Sequence, residues 1–216
     1  VTAIAVLGVG RVGAAVARTA LQGGYDVRVA GSGAVEDIAL LAEIVIPGAR
    51  AMSAEAAVED ADMVILAVPL SKYRTVDPGP LAGKVVVDAM NYWAPADGPI
   101  AEFEDSRLTS SEIVTRHLHG ARLVKTLNHI GYHDLEDHRT PPGTPGRRAL
   151  GVASDDEPAA RAVMDLIDRF GYDPVYSGPL STGAAFQPGT EIFNGAFARE
   201  AFERELGHAN GTRLSA

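Results

Sequence analysis

Residues Ala3 to Gly13 read Ala-Ile-Ala-Val-Leu-Gly-Val-Gly-Arg-Val-Gly, an apolar strand that runs straight into three spaced glycines and then into the helix formers Ala14 to Leu21. Each glycine has a separate task in such a turn. Gly8 permits the tight corner, Gly10 lets backbone amides approach a phosphate with no Cβ between them, and Gly13 lets the helix pack closely on the strand. The helix start then presents free amides and a positive dipole end to an anion. The pattern predicts a dinucleotide pyrophosphate cradle built from Gly8, Val9, Gly10, Arg11, Val12 and Gly13.

The rest of the chain supports the fold that such a cradle needs. Short apolar runs at 4–7, 27–30, 63–68, 85–88, 122–127 and 149–153 alternate with helical stretches at 35–46, 53–59 and 110–118. Ser110 or Ser111 is the expected cap of the last of these, with Glu112 an early acid. Asp155-Asp156-Glu157-Pro158 opens another helix that Gly171 closes, and a short strand is expected over 172–176. Alternation of this kind predicts an α/β, Rossmann-type doubly wound, mainly parallel sheet with a small C-terminal α/β extension. The expected division is a dinucleotide-binding domain with acceptor-site loops over 1–180 and a helical extension over 181–216, with one amphipathic helix at 190–206. The irregular stretch 131–148, with Pro141-Pro142-Gly143 in it, reads as a functional loop or lid.

Bulk properties narrow the chemistry. With 28 acidic residues against 19 Lys and Arg, the net charge of −9 argues against nucleic acid or an anionic membrane as partner. The absence of cysteine excludes disulfides and thiol catalysis and fits a cytoplasmic location. The apolar start reads as a strand, not a signal peptide, and no run reaches membrane-spanning length. His129, His133, Asp134, Glu136, Asp137 and His138 crowd together, but Gly131 interrupts any helix that would align them, so no metal site is expected.

An NAD-binding strand end usually carries a carboxylate for the adenosine ribose. Here that place reads Ala30-Gly31-Ser32-Gly33. Without an acid to repel a 2′-phosphate, Ser32 and the amide of Gly33 can donate to it and Arg11 is the available counter-charge, which predicts NADP. In an open parallel sheet ligands gather at the carboxyl ends of the strands. Ala67-Val68-Pro69 ends one strand and can flank the nicotinamide ribose. Asn91 and Asn128 end two others, with amides suited to a carboxamide or ribose. His129, with Asn128, is the candidate catalytic residue, as a general acid or a polar contact to the reacting ring. Tyr92 and Trp93 are candidates to stack on a planar acceptor.

Taken in order, Ala5-Val6-Leu7-Gly8-Val9-Gly10-Arg11-Val12-Gly13, Gly31-Ser32, Leu66-Ala67-Val68-Pro69, Val87-Asp88-Ala89-Met90-Asn91 and Val124-Lys125-Thr126-Leu127-Asn128 resemble the NADPH-dependent deazaflavin (coenzyme F-420) oxidoreductases. The resemblance extends to about Pro179. It implies hydride transfer between NADPH and a deazaflavin or flavin acceptor, commonly in a homodimer. Family members often carry Arg after the strand-end Ser where this chain has Gly33, and Asn128-His129 replaces a usual Thr. The alternatives are an NADPH-dependent reductase of a small carbonyl or imine, with His129 or Tyr92 as proton donor, and a non-catalytic NADP-sensing protein.

Overall fold

Why the apolar runs become strands is visible in where their side chains go. In the computed structural model, which describes residues 2–104 and 107–214, Ile4 and Val6 of the first strand enter one core while Ala5 and Leu7 enter another on the opposite face. Both faces of the strand are buried, so the run is continuously apolar instead of alternating. The strands are β1 (Ala3–Leu7), β2 (Asp26–Ala30), β3 (Arg50–Ala51), β4 (Met63–Leu66), β5 (Val85–Asp88), β6 (Arg122–Lys125), β7 (Ala149–Ala153) and β8 (Asp173–Gly178). They form one sheet of order β3-β2-β1-β4-β5-β6-β7-β8. All neighbours are parallel except β6 and β7, which pair antiparallel at Lys125 and Ala153. The expected Rossmann-type, mainly parallel α/β sheet is therefore observed. Strand order reverses between β1 and β4, and the carboxyl ends of these strands open a crevice there.

The helices are α1 (Arg11–Gln22), α2 (Val35–Val45), α3 (Ala54–Glu59), α4 (Ala94–Asp97), α5 (Ala101–Glu104), α6 (Ser110–His117), α7 (Asp134–Asp137), α8 (Glu157–Phe170), α9 (Glu191–Asn194) and α10 (Arg199–Leu214). Residues of α1, α2 and α8 fill the core on one face of the sheet, and those of α3 and α6 fill the core on the other. Helix α1 comes close to the sheet because its buried side is small: Ala14, Ala15, Ala17 and Ala20 are sealed from solvent.

Several local expectations shift. Two residues carry no periodicity, so the edge strand β3 was not foreseen. The expected strand 122–127 stops at Lys125 because Leu127 takes a left-handed φ of 63°. Helix α6 is capped by Thr109, not by Ser110 or Ser111: its hydroxyl accepts from Glu112 N at 3.2 Å and the Glu112 carboxylate accepts from Thr109 N at 2.7 Å. Helix α8 begins and ends as expected, with Asp156 at its start and Gly171 left-handed at its end. The single helix expected over 190–206 is broken at Gly195, which is extended, and Ala149 N donates to Phe197 O at 2.8 Å just beyond it.

The 131–148 stretch is fastened down instead of hanging as a lid. Arg18 on α1 makes a two-pronged bond to Glu136 at 2.6 and 2.7 Å, and Arg148 bonds Asp134 at 2.8 Å. The Tyr172 hydroxyl donates to Asp134 O at 2.7 Å, and buried Arg147 bridges Asp168 and Asp173 at 2.5 and 3.0 Å. Charge-paired hydrogen bonds of this geometry are the strong kind.

Candidate active site

The crevice at the switch point is a cleft of about 1060 Å³. Its floor is the turn from β1 to α1. Gly8 has φ 109°, and a Cβ on it would lie 2.4 Å from the carbonyl oxygen of Ala67. A Cβ on Gly13 would lie 1.8 Å from Gly8 O, so α1 can touch the turn only because residue 13 has no side chain. Gly10 is different: nothing lies within 4 Å of where its Cβ would be. Open space, not protein, is what a side chain there would fill. Gly10 is also the N-cap of α1 and no side chain caps that helix, so the amides of its first turn stay free. A bare-backbone cradle with free amides and vacant room above Gly10 fits a pyrophosphate.

Of the expected binding residues, Gly8, Val9, Gly10, Arg11, Val12, Ser32, Ala67, Val68, Pro69 and Asn91 all line this one cleft. Gly13 and Gly33 do not. Gly13 lies beneath the turn as packing, and Gly33 sits past Ser32 at the mouth of α2. Asp26, at the start of β2, is engaged by Arg50 at 2.5 Å. Arg11 extends over the ring of Tyr132, with its guanidinium carbon 6.0 Å from the ring centre. In the sheet order Ser32 follows β2 on one side of β1, while Tyr132 follows β6 on the other. Arg11 thus reaches away from the strand end where a 2′-phosphate was expected to meet it.

Asn128 and His129 lie behind the cleft wall instead of in it. Both are buried, at 4% and 3% exposure. The Gly151 amide donates to His129 Nε2 at 2.9 Å, so that nitrogen carries no proton, and Nδ1 donates to Asn128 Oδ1 at 3.2 Å. The ring packs on Phe186 and Phe202, with centroids 4.8 and 6.0 Å away. Burial, with help from the positive charges of Arg148 and Lys125, pushes its pKa down to about 3. A neutral ring with both nitrogens committed has no proton to deliver to the cleft, which corrects the expectation of a general acid. Tyr92 is also committed: its hydroxyl accepts from Ile100 N at 3.0 Å and donates to Gly98 O at 3.2 Å.

Sequence reasoning left out Lys72, Glu55, Asp97 and Tyr132, which also line the cleft. Lys72 sits in the 3-10 turn Leu70–Thr75 after Pro69, so the strand end foreshadowed it. Tyr132 arrives from a loop with no periodic pattern. Beneath the wall, Lys125 and Asp88 form a sealed pair, Nζ to Oδ2 at 3.4 Å, and both grip Met90: Nζ donates to its carbonyl and Oδ1 accepts from its amide at 2.9 Å. Burial drives the Lys125 pKa down while Asp88 draws it back up. Among the described residues no group of three or more His, Asp or Glu side chains is arranged to hold a metal, and no helix is long and apolar enough to cross a membrane.

Residues 3–92 match the family described as NADP oxidoreductase coenzyme F420-dependent. The match covers the cradle, Ser32, the 67–69 strand end and Asn91, and so shows the family resemblance carried by those motifs. Among solved structures the chain is similar to the protein SMa0349 from Sinorhizobium meliloti, at 28% identity and a TM-score of 0.76 over 92% of this chain and 96% of that one. It is also similar in fold to a candidate F420-dependent NADP-reductase from Arthrobacter sp. FB24, at 22% identity and a TM-score of 0.68, covering 88% and 90%. An imine reductase from Pseudomonas sp. shares the fold at 19% identity and a TM-score of 0.57, and this chain covers 56% of it. The YjhV protein of Escherichia coli (strain K12) is 42% identical over 60 residues, a stretch that is 27% of this chain and 44% of that protein. The family match and the cradle fall on the same part of the chain, with residues 8–13 inside the matched span 3–92.

Proposed function

We propose that this protein transfers hydride between NADPH and a deazaflavin or flavin acceptor. The observation that carries the reading is the cleft itself, where bare backbone at Gly8 and Gly10 faces one end and Pro69, Met90, Asn91 and Tyr132 wall the other. At about 1060 Å³ it stands at the top of the range of about 300–1,000 Å³ usual for a single small-molecule site. That leaves room for a second planar ring beside the dinucleotide.

In this reading Gly8, Val9, Gly10, Arg11 and Val12 form the pyrophosphate turn with Gly13 packed beneath it, Ser32 meets the adenosine ribose phosphate with Gly33 next to it at the rim, and Ala67, Val68, Pro69 and Asn91 border the nicotinamide. When bound, the dinucleotide supplies the hydride. What the chain would contribute is orientation of the two rings and exclusion of water. Such a transfer asks for little proton chemistry, which agrees with His129 and Tyr92 both being committed to internal hydrogen bonds. Reduction of a carbonyl or imine with His129 or Tyr92 as proton donor would need one of them free. The absence of a carboxylate at the β2 end and the family match support NADP over NAD. A cytoplasmic homodimer, with 181–216 as a helical extension of the dinucleotide-binding part, belongs to the same proposal, and sedimentation tests its dimeric state.

The deciding experiment is steady-state oxidation of NADPH and of NADH with deazaflavin, flavin and carbonyl or imine acceptors in parallel. Turnover with deazaflavin or flavin and faster use of NADPH is expected. Turnover only with carbonyls or imines would replace this reading with the reductase one, and binding without turnover on any acceptor would leave a sensor.

A further inference from the structure

The two buried residues behind the cleft wall have more hydrogen bonds than packing requires. Asn91 Nδ2 donates to Asn128 O at 2.6 Å, and Asn128 Nδ2 donates back to Asn91 Oδ1 at 3.0 Å and to Phe186 O at 2.7 Å. Asn128 Oδ1 takes the His129 Nδ1 proton, and His129 Nε2 takes the Gly151 amide. These bonds form one continuous line from β7 to the only member that faces the cleft, Asn91. Gly151, His129 and Asn128 each donate toward Asn91, and Asn91 Nδ2 returns a bond to the Asn128 carbonyl, so the orientation of each amide is set by its neighbour.

The backbone makes an unusual bend to allow this. Leu127, a buried branched residue with φ 63°, turns the chain immediately before Asn128. A left-handed non-glycine residue is strained and persists only where its surroundings over-determine it. Here those surroundings are the amide exchange with Asn91 and the aromatic seat of His129 between Phe186 and Phe202.

We infer that His129 is a positioning residue: acting as a neutral imidazole through Asn128, it fixes the amide of Asn91 at the reacting end of the cleft, and so ties that end to β7 and to the Phe186 segment. The inference rests on the proposed hydride-transfer reading only for what Asn91 touches, not for the hydrogen bonds themselves. It predicts that the C-terminal third of the chain influences turnover without contributing a side chain to the cleft.

The test compares His129→Phe, which keeps an aromatic ring against Phe186 and Phe202 but loses both bonds, with His129→Asn, which restores a donor toward Asn128 Oδ1. In the ligand-free protein, NMR exchange of the Asn91 side-chain amide protons should quicken by about tenfold or more in His129→Phe and return to within about threefold of wild type in His129→Asn. With dinucleotide and acceptor, kcat should fall about tenfold in His129→Phe while the dinucleotide Kd stays within about threefold, and His129→Asn should recover most of kcat. Unchanged Asn91 exchange in His129→Phe, or equal losses in both variants, overturns the inference. If His129→Phe does not fold, Asn128→Asp, which loses the Nδ2 donor to Asn91 Oδ1 and Phe186 O, breaks the next bond along the line and should also quicken Asn91 exchange; slow exchange there overturns the inference too. Absence of turnover in the wild type with every acceptor would remove the hydride-transfer reading, while the exchange comparison would still decide the role of His129.

Discussion

Lys125 and Asp88 face each other across β5 and β6 with Nζ 3.4 Å from Oδ2 and no access to solvent, and each also holds the backbone of Met90. Asp88 Oδ2 accepts in addition from the Ser111 hydroxyl at 2.6 Å. The pair therefore pins the turn that carries Asn91 into the cleft. Removing one member leaves the other buried without its counter-charge, a loss of about 3–5 kcal/mol. Lys125→Met should accordingly lower unfolding free energy by that amount in urea denaturation. Adding Asp88→Leu should restore only part of it, because the Met90 amide and Ser111 hydroxyl then lose their acceptor. Full recovery in the double variant would mean that the bonds to Met90 contribute nothing.

Two of the cradle glycines should respond differently. Gly10→Val adds atoms to open space at an extended backbone position, so stability should change by about 1 kcal/mol or less while dinucleotide binding is lost. Gly13→Ala puts a methyl group where Gly8 O already lies, and should cost about 1–3 kcal/mol despite the better helix propensity of alanine. Calorimetric titration beside thermal melting separates the two effects. Retained binding in Gly10→Val would remove the pyrophosphate from this turn.

In the proposed reading the β2 end sets the preference for a 2′-phosphate. Ser32→Asp should weaken NADPH by about tenfold or more, through repulsion and a lost donor, and leave NADH unchanged or tighter. Arg11, drawn toward Tyr132, should instead serve the pyrophosphate that both carriers share, so Arg11→Ala should weaken NADPH and NADH by similar factors. A loss confined to NADPH would return Arg11 to the 2′-phosphate.

One pH dependence follows from Asp156, whose carboxylate pairs with Arg122 at 2.7 and 2.9 Å and caps α8 through Ala159 N at 2.9 Å. The Arg122 bonds first, and the Ala159 amide second, lower its pKa from 3.8 to about 2. A depressed folded-state pKa gives stability that is complete above the unfolded value and fades as pH falls through the folded one. Asp156→Asn keeps a capping oxygen but no charge, so its deficit against wild type, measured in urea, should be constant above pH 5 and narrow from about pH 4 toward pH 2. A deficit that does not change over that range would show that the ion pair does not contribute.

Local pattern was enough for most of the frame. The strands of the central sheet, the glycine turn, the start of α8 at Asp156 and its end at Gly171 could be read from spacing and residue type, since each depends on neighbours a few positions away. What escaped has long-range causes. The two residues of β3 pair only because β2 lies beside them. The cap of α6 is the exception, being local: Thr109, not Ser110, stands three residues before Glu112, the spacing a capping box needs. The break at Gly195 exists because 195–198 bonds back to the start of β7. Composition identified 131–148 as irregular but not as fastened, since Arg18, Arg147, Arg148 and Tyr172 reach it from distant elements or across its own bends.

The candidate site divides the same way. That residues 8–13 make a bare turn, and that strand ends carry Ser32, Pro69, Asn91 and Asn128, was written in the order of the residues, because backbone freedom and strand polarity are local properties. Which of those side chains reach the cleft was not. His129 and Asn128 look like exposed strand-end polar residues in the chain, yet β7 and the Phe186 segment close over them, and Arg11 turns toward a tyrosine 121 positions away. Direction and burial are set by what packs from elsewhere in the chain, so only the folded molecule could assign them.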